Sequence, residues 1–218
     1  DSFDYNIKLK LSDFYANYEL GDASGLVDAD LKVIGKTPPT VSGDVTLKSA
    51  LYREEFSKES DGWVILTSLQ GDKTWDLNLN INAVSNLWIK NSEIDAELSG
   101  QLNFIREKGN YRYIGSMEIL RGKGYLADKI FKIESGSTIN YEDIEYPNPR
   151  LDIYASTKIR GADVSQTGSS QSTNYELRVY ISGTLDEPII SAAESGTGSP
   201  QFTTEEIVPL IFTDYYQQ

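Results

Sequence analysis

Apolar and polar residues alternate along most of this chain, and the period is two. Phe3, Tyr5, Ile7, Leu9 and Leu11 are separated by Asp4, Asn6, Lys8 and Lys10, and Trp75, Leu77, Leu79, Ile81 and Ala83 by Asp76, Asn78, Asn80 and Asn82. Successive side chains of a strand point to opposite faces, so such runs predict strands with one apolar face and one wet face. The same alternation covers residues 27–33, 41–47, 94–104, 111–119, 131–134, 139–141, 151–157 and 177–181, and Trp63-Val64-Ile65-Leu66 makes a further short candidate. Strand follows strand with no room for crossover helices, which predicts an antiparallel meander.

Glycine and proline punctuate the pattern. Gly71-Asp72-Lys73 and Glu107-Lys108-Gly109-Asn110 have turn chemistry. In the stretch 121–157, Gly122, Gly124 and Gly136 are placed to turn the chain, with Gly122-Lys123-Gly124 read as a hairpin turn, and Pro147 and Pro149 hold their predecessors extended. Residues 161–173 and 191–200 are polar and low in complexity, so they read as loops. Phe14 to Leu20 is less regular, Tyr52 to Gly62 is charge-dense and reads as a hairpin or loop, and the C-terminus changes the period. Thr203-Thr204-Glu205-Glu206 has capping-box spacing before Ile207, Leu210, Ile211 and Phe212, predicting a short helix with Pro209 inside it. Its apolar stripe is expected to plug or dock on one end of the sheet, or to meet a partner.

A weak repeat runs through the strands. Gly43, Gly100, Gly115 and Gly183 each lie between apolar residues two before and two after, which places a residue without a side chain on the apolar face. Either the sheet bulges or packs tightly there, or a ligand approaches closely.

Composition narrows the function. A formal charge of −13 repels phosphate backbones and anionic bilayers, so nucleic-acid binding and electrostatic membrane binding are not expected. The absence of histidine and cysteine excludes Ser-His-Asp and Cys-His catalysis, disulfides and the usual zinc sites. Glu142-Asp143 and Asp28…Asp30 sit in turns or on wet strand faces, where solvation explains them, and Gly122-Lys123-Gly124 lacks phosphate-loop spacing. No enzyme, cofactor or metal is expected. No run approaches the ~20 apolar residues of a spanning helix, and a strand pattern that starts at residue 3 reads as a single domain, 1–218, cut from a longer protein.

The apolar face needs a cover. A barrel, a sandwich and a half-pipe all satisfy the alternation, and periodicity does not choose among them. The stretch RGKGYLADKIFKIESGSTINYEDIEYPNPRLDIYAST over 121–157, with the runs at 87–94 and 96–102, and Val179-Tyr180-Ile181-Ser182-Gly183-Thr184-Leu185-Asp186-Glu187-Pro188 ahead of the helix start, resembles the TamB C-terminal domain over roughly residues 75–212. The resemblance implies an all-β fold, a long antiparallel sheet curved into an open taco or half-pipe with an apolar interior, like the AsmA-like and bridge-type lipid transfer proteins. It implies a periplasmic domain that shields phospholipid acyl chains between inner and outer membrane, in a protein anchored in the inner membrane by a segment outside this sequence. On that basis the groove would be lined by Trp75, Leu77, Leu79, Ile81, Ile94, Leu98, Leu102, Phe104, Met117, Ile119, Phe131, Ile133, Ile139, Leu151, Ile153, Leu177, Val179 and Ile181, with Ile207, Leu210, Ile211 and Phe212 as partner surface or plug. The alternative it implies is an outer-membrane assembly factor that acts by edge-strand pairing with an Omp85-family barrel, TamA or BamA.

Overall fold

The computed structural model describes residues 3–18, 22–56, 75–126, 128–145, 148–163, 171–194, 201–212 and 215–217. Twelve strands join in one sheet: β1 (Asp4–Tyr18), β2 (Ala23–Lys36), β3 (Thr40–Tyr52), β4 (Asp76–Lys90), β5 (Ile94–Glu107), β6 (Asn110–Leu126), β7 (Lys129–Ile133), β8 (Ser137–Ile144), β9 (Arg150–Asp163), β10 (Gln171–Gly183), β11 (Pro188–Ala192) and β12 (Tyr215–Gln217). Among the described residues one helix, α1 (Thr204–Phe212), precedes β12. The all-β fold with a short C-terminal helix is as the alternation predicts. Strand order follows the chain from β1 to β6, and β1 and β11 stand at opposite edges, so among the described residues the sheet is open and not closed into a barrel.

β7 and β8 share the space between β6 and β9. β8 pairs with β6 over 113–119 and with β9 at 150–152, while β7 pairs with β6 over 122–126 and follows β9 for only two residues, Lys132↔Ser156 and Ile133↔Ala155.

Among the described residues two pairings run parallel and depart from the antiparallel meander. β3 and β4 run parallel, with Val45 opposite Ile81 and Leu47 opposite Ala83. A parallel pair needs a long return connection, and the residues between Tyr52 and Asp76 supply it. Its start is tied down beside the β4–β5 turn, where Asn91 Nδ2 donates to the Glu54 carbonyl at 2.8 Å and Ser92 N donates to Glu55 Oε1 at 3.0 Å. The strand expected at 63–66 lies outside the described residues. β12 also pairs parallel, with β9.

Gly122 and Gly124 do not turn the chain. Both lie inside β6, opposite Ala96 and Ile94, and the hairpin comes after Leu126. A side chain at Gly122 would fall 2.5 Å from the Ala96 Cβ, so the glycine serves strand packing. The loops read at 161–173 and 191–200 are shorter than their polar composition suggests, since β9 runs to Asp163, β10 starts at Gln171 and β11 ends at Ala192. Lys108 and Gly109, both at positive φ, make the tight β5–β6 turn as expected.

The repeated glycines are explained by their neighbours. At Gly43, Gly100 and Gly115 φ is +145° to +150°, and a Cβ would fall 2.1–2.2 Å from the carbonyl oxygen of Asp30, Ser116 or Gln101 on the adjacent strand. Close approach of a neighbouring backbone therefore fixes these glycines.

Candidate functional site: the apolar face of the curved sheet

Strand register puts the apolar positions on one continuous face. One row across it reads Leu11, Ala29, Val45, Ile81, Leu102 and Gly115; another reads Phe14, Val27, Leu47, Ala83, Gly100 and Met117. Residues opposite one another in register share a face. Leu77, Leu79 and Ile81 on β4, Ile94, Leu98, Leu102 and Phe104 on β5, Met117 and Ile119 on β6, Phe131 and Ile133 on β7, Ile139 on β8, Leu151 and Ile153 on β9, and Leu177, Val179 and Ile181 on β10 all fall on it. Bulges keep the parity right. At Leu98/Ile119 the register shifts by one residue on β6, which moves the inward series from odd to even numbers and brings Gly122 and Gly124 inside.

The face curls. The rings of Tyr5 on β1 and Trp75, just ahead of β4, lie 6.4 Å apart although β2 and β3 intervene. Tyr52 on β3 and Tyr141 on β8 also interact across the sheet. The Tyr52 hydroxyl is pushed up to about 12, first by burial, then by Glu54 and by the Tyr141 hydroxyl. Burial pushes Tyr141 up to about 12 as well.

Closure changes along the face. At the β1 edge Ile7 is 52% and Leu9 43% exposed. In the middle, Leu98, Ile119, Ile133 and Ile153 are buried together, with Ile94, Met117, Ile139, Leu151 and Ile181 packed on them. Between these zones Leu77, Leu79, Ile81, Leu102 and Phe104 are half-buried. At the far end Phe131, Leu177 and Val179 lie with Phe202 and with Ile207, Leu210 and Ile211 of α1 in one buried cluster. Leu177 and Ile207 have no exposed surface.

The helix forms where its sequence predicts. Thr203 N donates to Glu206 Oε2 at 2.8 Å, and Glu206 N and Ile207 N both donate to the Thr203 carbonyl at 3.2 Å. A stripe repeating at three and four residues then faces the sheet. Phe212 ends the helix, its side chain outside those described.

The groove lining proposed from sequence leaves out several residues of this face. Ala83, Ala96 and Ala155 share the apolar alternation and are buried on it. Arg106 is also on it, opposite Leu77 and Tyr111, buried, with its guanidinium 5.6 Å from the Tyr111 ring centroid. The parity of β5 marks Arg106 as inward, two residues after Phe104. The wet face carries the ion pairs, such as Arg112 with Asp143 and the bidentate Arg178 with Glu134 at 2.7 and 2.9 Å. Among the described residues no group of carboxylates is placed to hold a metal ion, and no helix is long and apolar enough to cross a membrane.

A comparison with curated proteins returns no match. The family of this fold is a non-enzymatic assembly and transport module of the Gram-negative envelope that works with TamA, a barrel of the Omp85 family. The family model for the TamB C-terminal domain matches residues 1–214, well beyond the stretch 75–212 that carries the resemblance by motif, and the chain belongs to that family, with a role in the translocation and assembly module.

Proposed function

We propose that this domain is a bridge-type lipid transfer element of the periplasm, which shields phospholipid acyl chains on its apolar face as they pass between inner and outer membrane. One observation carries the reading. Apolar residues meet apolar residues in register from β1 to β10, and among the described residues no second sheet covers them. Each CH₂ removed from water recovers about 0.8 kcal/mol, so a shielded track lowers most of the barrier that an acyl chain meets in crossing water. No chemical step is needed. Within the lining proposed from sequence, the half-buried residues Leu77, Leu79, Ile81, Leu102 and Phe104 are the ones with surface to offer, whereas α1 already occupies Leu177 and Val179. On this reading Ile207, Leu210 and Ile211 close the track at one end.

Photocrosslinking tests this directly. A reactive residue at Leu79, on the apolar face, should yield phospholipid adducts in cells, and one at Asn80, which faces Asp44 on the wet side, should not. Adducts at both positions, or at neither, would sink the proposal.

A second reading, assembly of outer-membrane proteins by strand pairing, is favoured by β1. This edge strand is fifteen residues long and pairs on one side only among the described residues. Long open edges are templates for strand addition. Because the chain has no cysteine, single cysteines introduced along β1 would report disulfide pairing with an Omp85-family barrel without background. Every second position crosslinking in register would support this reading, and no crosslinks would dismiss it.

A further inference from the structure

The charges on the wet face are not evenly spread. Residues 121–132 put three basic side chains on this face, Arg121, Lys123 and Lys132, with a fourth, Lys129, opposite Leu126 on the inner side, against one acidic residue, Asp128, in a chain of net charge −13. They lie on the hairpin formed by β6 and β7. The β6 side of the hairpin stays bonded to the sheet up to Tyr125, but β7 follows β9 for only two residues, and a concavity of ≈ 880 Å³ opens between β7 and β9. Lys123, Lys129, Lys132 and Lys158 line it, with Asp128 and Glu176 as its carboxylates. Lys123, Lys132 and Lys158 form no ion pair among the described residues.

Apolar side chains accompany these lysines on the same face. Ile130 is 55% and Tyr125 39% exposed, directly opposite each other at the hairpin tip. On β1–β3 carboxylates are interspersed with the lysines: Lys8 faces Lys32, but Lys10 faces Asp30, Lys36 faces Asp4, and Lys48 pairs with Asp13 and Asp28.

We propose that this hairpin is a membrane-docking element, which seats the helix-closed end of the apolar track on the phosphate-bearing surface of an anionic bilayer. Ile130 and Tyr125 would enter the interface, where an aliphatic side chain and an amphipathic ring are both stable. The lysines around them would reach lipid phosphates with their ammonium groups while their stems stay on apolar surface. The cations border a wide concavity that also holds two carboxylates, so they suit many headgroups at once and not one bound phosphate. The same hairpin carries Leu126 and Phe131 on its inner side, packed against the cluster that holds α1. Docking the tip would therefore bring the covered end of the track to the bilayer. This goes beyond lipid carriage and stands or falls separately from it.

Vesicle flotation of the full 218-residue chain tests it. Binding to vesicles of phosphatidylglycerol and phosphatidylcholine at ~0.1 M salt should exceed binding to pure phosphatidylcholine and weaken as salt screens the charges. The triple variant Lys123→Gln/Lys132→Gln/Lys158→Gln should lose on the order of 100-fold in partition, about fivefold per lysine. Ile130→Ser should weaken binding several-fold, and the matched variant Lys8→Gln/Lys10→Gln/Lys32→Gln should leave it within about twofold. Equal binding by the wild type and the triple variant, or no preference for anionic vesicles, would overturn the proposal. So would binding to an acidic polypeptide with none to vesicles, which would assign the patch to a protein partner. If lipid crosslinking at Leu79 persists in the triple variant while vesicle binding is lost, docking and carriage are separate properties.

Discussion

Gly100 lies opposite Met117 in the register of β5 and β6, at φ +150°, and a Cβ there would fall 2.2 Å from the Ser116 carbonyl and 2.9 Å from Met117 Sδ. The obstacle is backbone, which cannot rotate away. Gly100→Ala should therefore cost about 1–3 kcal/mol, strain and clash together. Gly109, at φ +84° in the adjoining turn, has nothing within 4 Å, so Gly109→Ala should lose only about 1 kcal/mol from its backbone conformation. Urea unfolding of the two variants compares them, and equal losses would show that the β5–β6 spacing relaxes.

Much of this architecture is legible because a period of two has a single structural meaning. Leu77, Leu79 and Ile81 point inward for the same reason that Asn78 and Asn80 do not, and the capping box at Thr203 places α1 to the residue. What is not legible follows from non-local pairing. Nothing within 40–52 or 76–90 marks β3 and β4 as parallel, since alternation is the same in both directions. Gly122 and Gly124 look like turn residues until Ala96 is set against them across the sheet. The lining read from sequence treats Leu79 and Leu177 alike. Only the docked helix distinguishes them, because burial depends on what lies above a face as well as on which face it is.

Ile207 of α1 has no exposed surface and packs in the cluster with Leu177 and Val179. Truncation leaves a cavity in a closed site, so Ile207→Ala should cost about 2–5 kcal/mol. Ile7→Ala, at a position 52% exposed on β1, should cost about 1 kcal/mol or less. If Ile207→Ala is as mild as Ile7→Ala by chemical denaturation, α1 is not held on the sheet in solution. In that event a photoprobe at Leu177 should begin to capture lipid.

Glu97 couples a β4 bulge to β6. Its carboxylate accepts from Asn86 N at 2.9 Å and from Arg121 Nε at 2.7 Å, and both interactions, the backbone one first, hold it below the ordinary glutamate value of 4.5. An acid held low in the folded state binds its proton more readily when unfolded. Its contribution is therefore present above pH ~4.5 and lost as pH falls through the lowered folded value. Glu97→Gln should flatten the acid limb of a stability–pH curve relative to wild type while the alkaline limb is unchanged. Parallel acid limbs would mean that the bulge gains nothing from the charge.

The alkaline limb should report the phenols. Tyr52, Tyr113 and Tyr141 are each pushed up to about 12 from 10, burial being the largest cause in all three. Between pH 10 and 12 the unfolded chain releases phenolic protons that the folded chain keeps, so the stabilisation present below pH 10 declines as pH rises toward 12. Tyrosinate absorbance of the folded protein should show a late phase to which these three contribute. Tyr141→Phe should shrink the late phase by one residue, and a single-phase titration would show that the inner face is open to hydroxide.

Trp75 and Trp88 lie on opposite sides of the same sheet and can report which side meets lipid. Trp75 is 48% exposed at the rim of the apolar face with Tyr5 beside it. Trp88, opposite Glu97 on the wet face, has Lys90 Nζ 4.5 Å and Arg121 Cζ 5.3 Å from its ring centroid. In a Trp63→Phe background, nitroxide-labelled acyl chains should quench the fluorescence of the Trp88→Phe variant, which keeps Trp75, and leave that of the Trp75→Phe variant, which keeps Trp88, near its lipid-free value. Quenching needs near contact, so the contrast reads the face and not general association with lipid. Quenching of Trp88 alone would move lipid to the wet face and remove the ground for acyl-chain carriage along the groove.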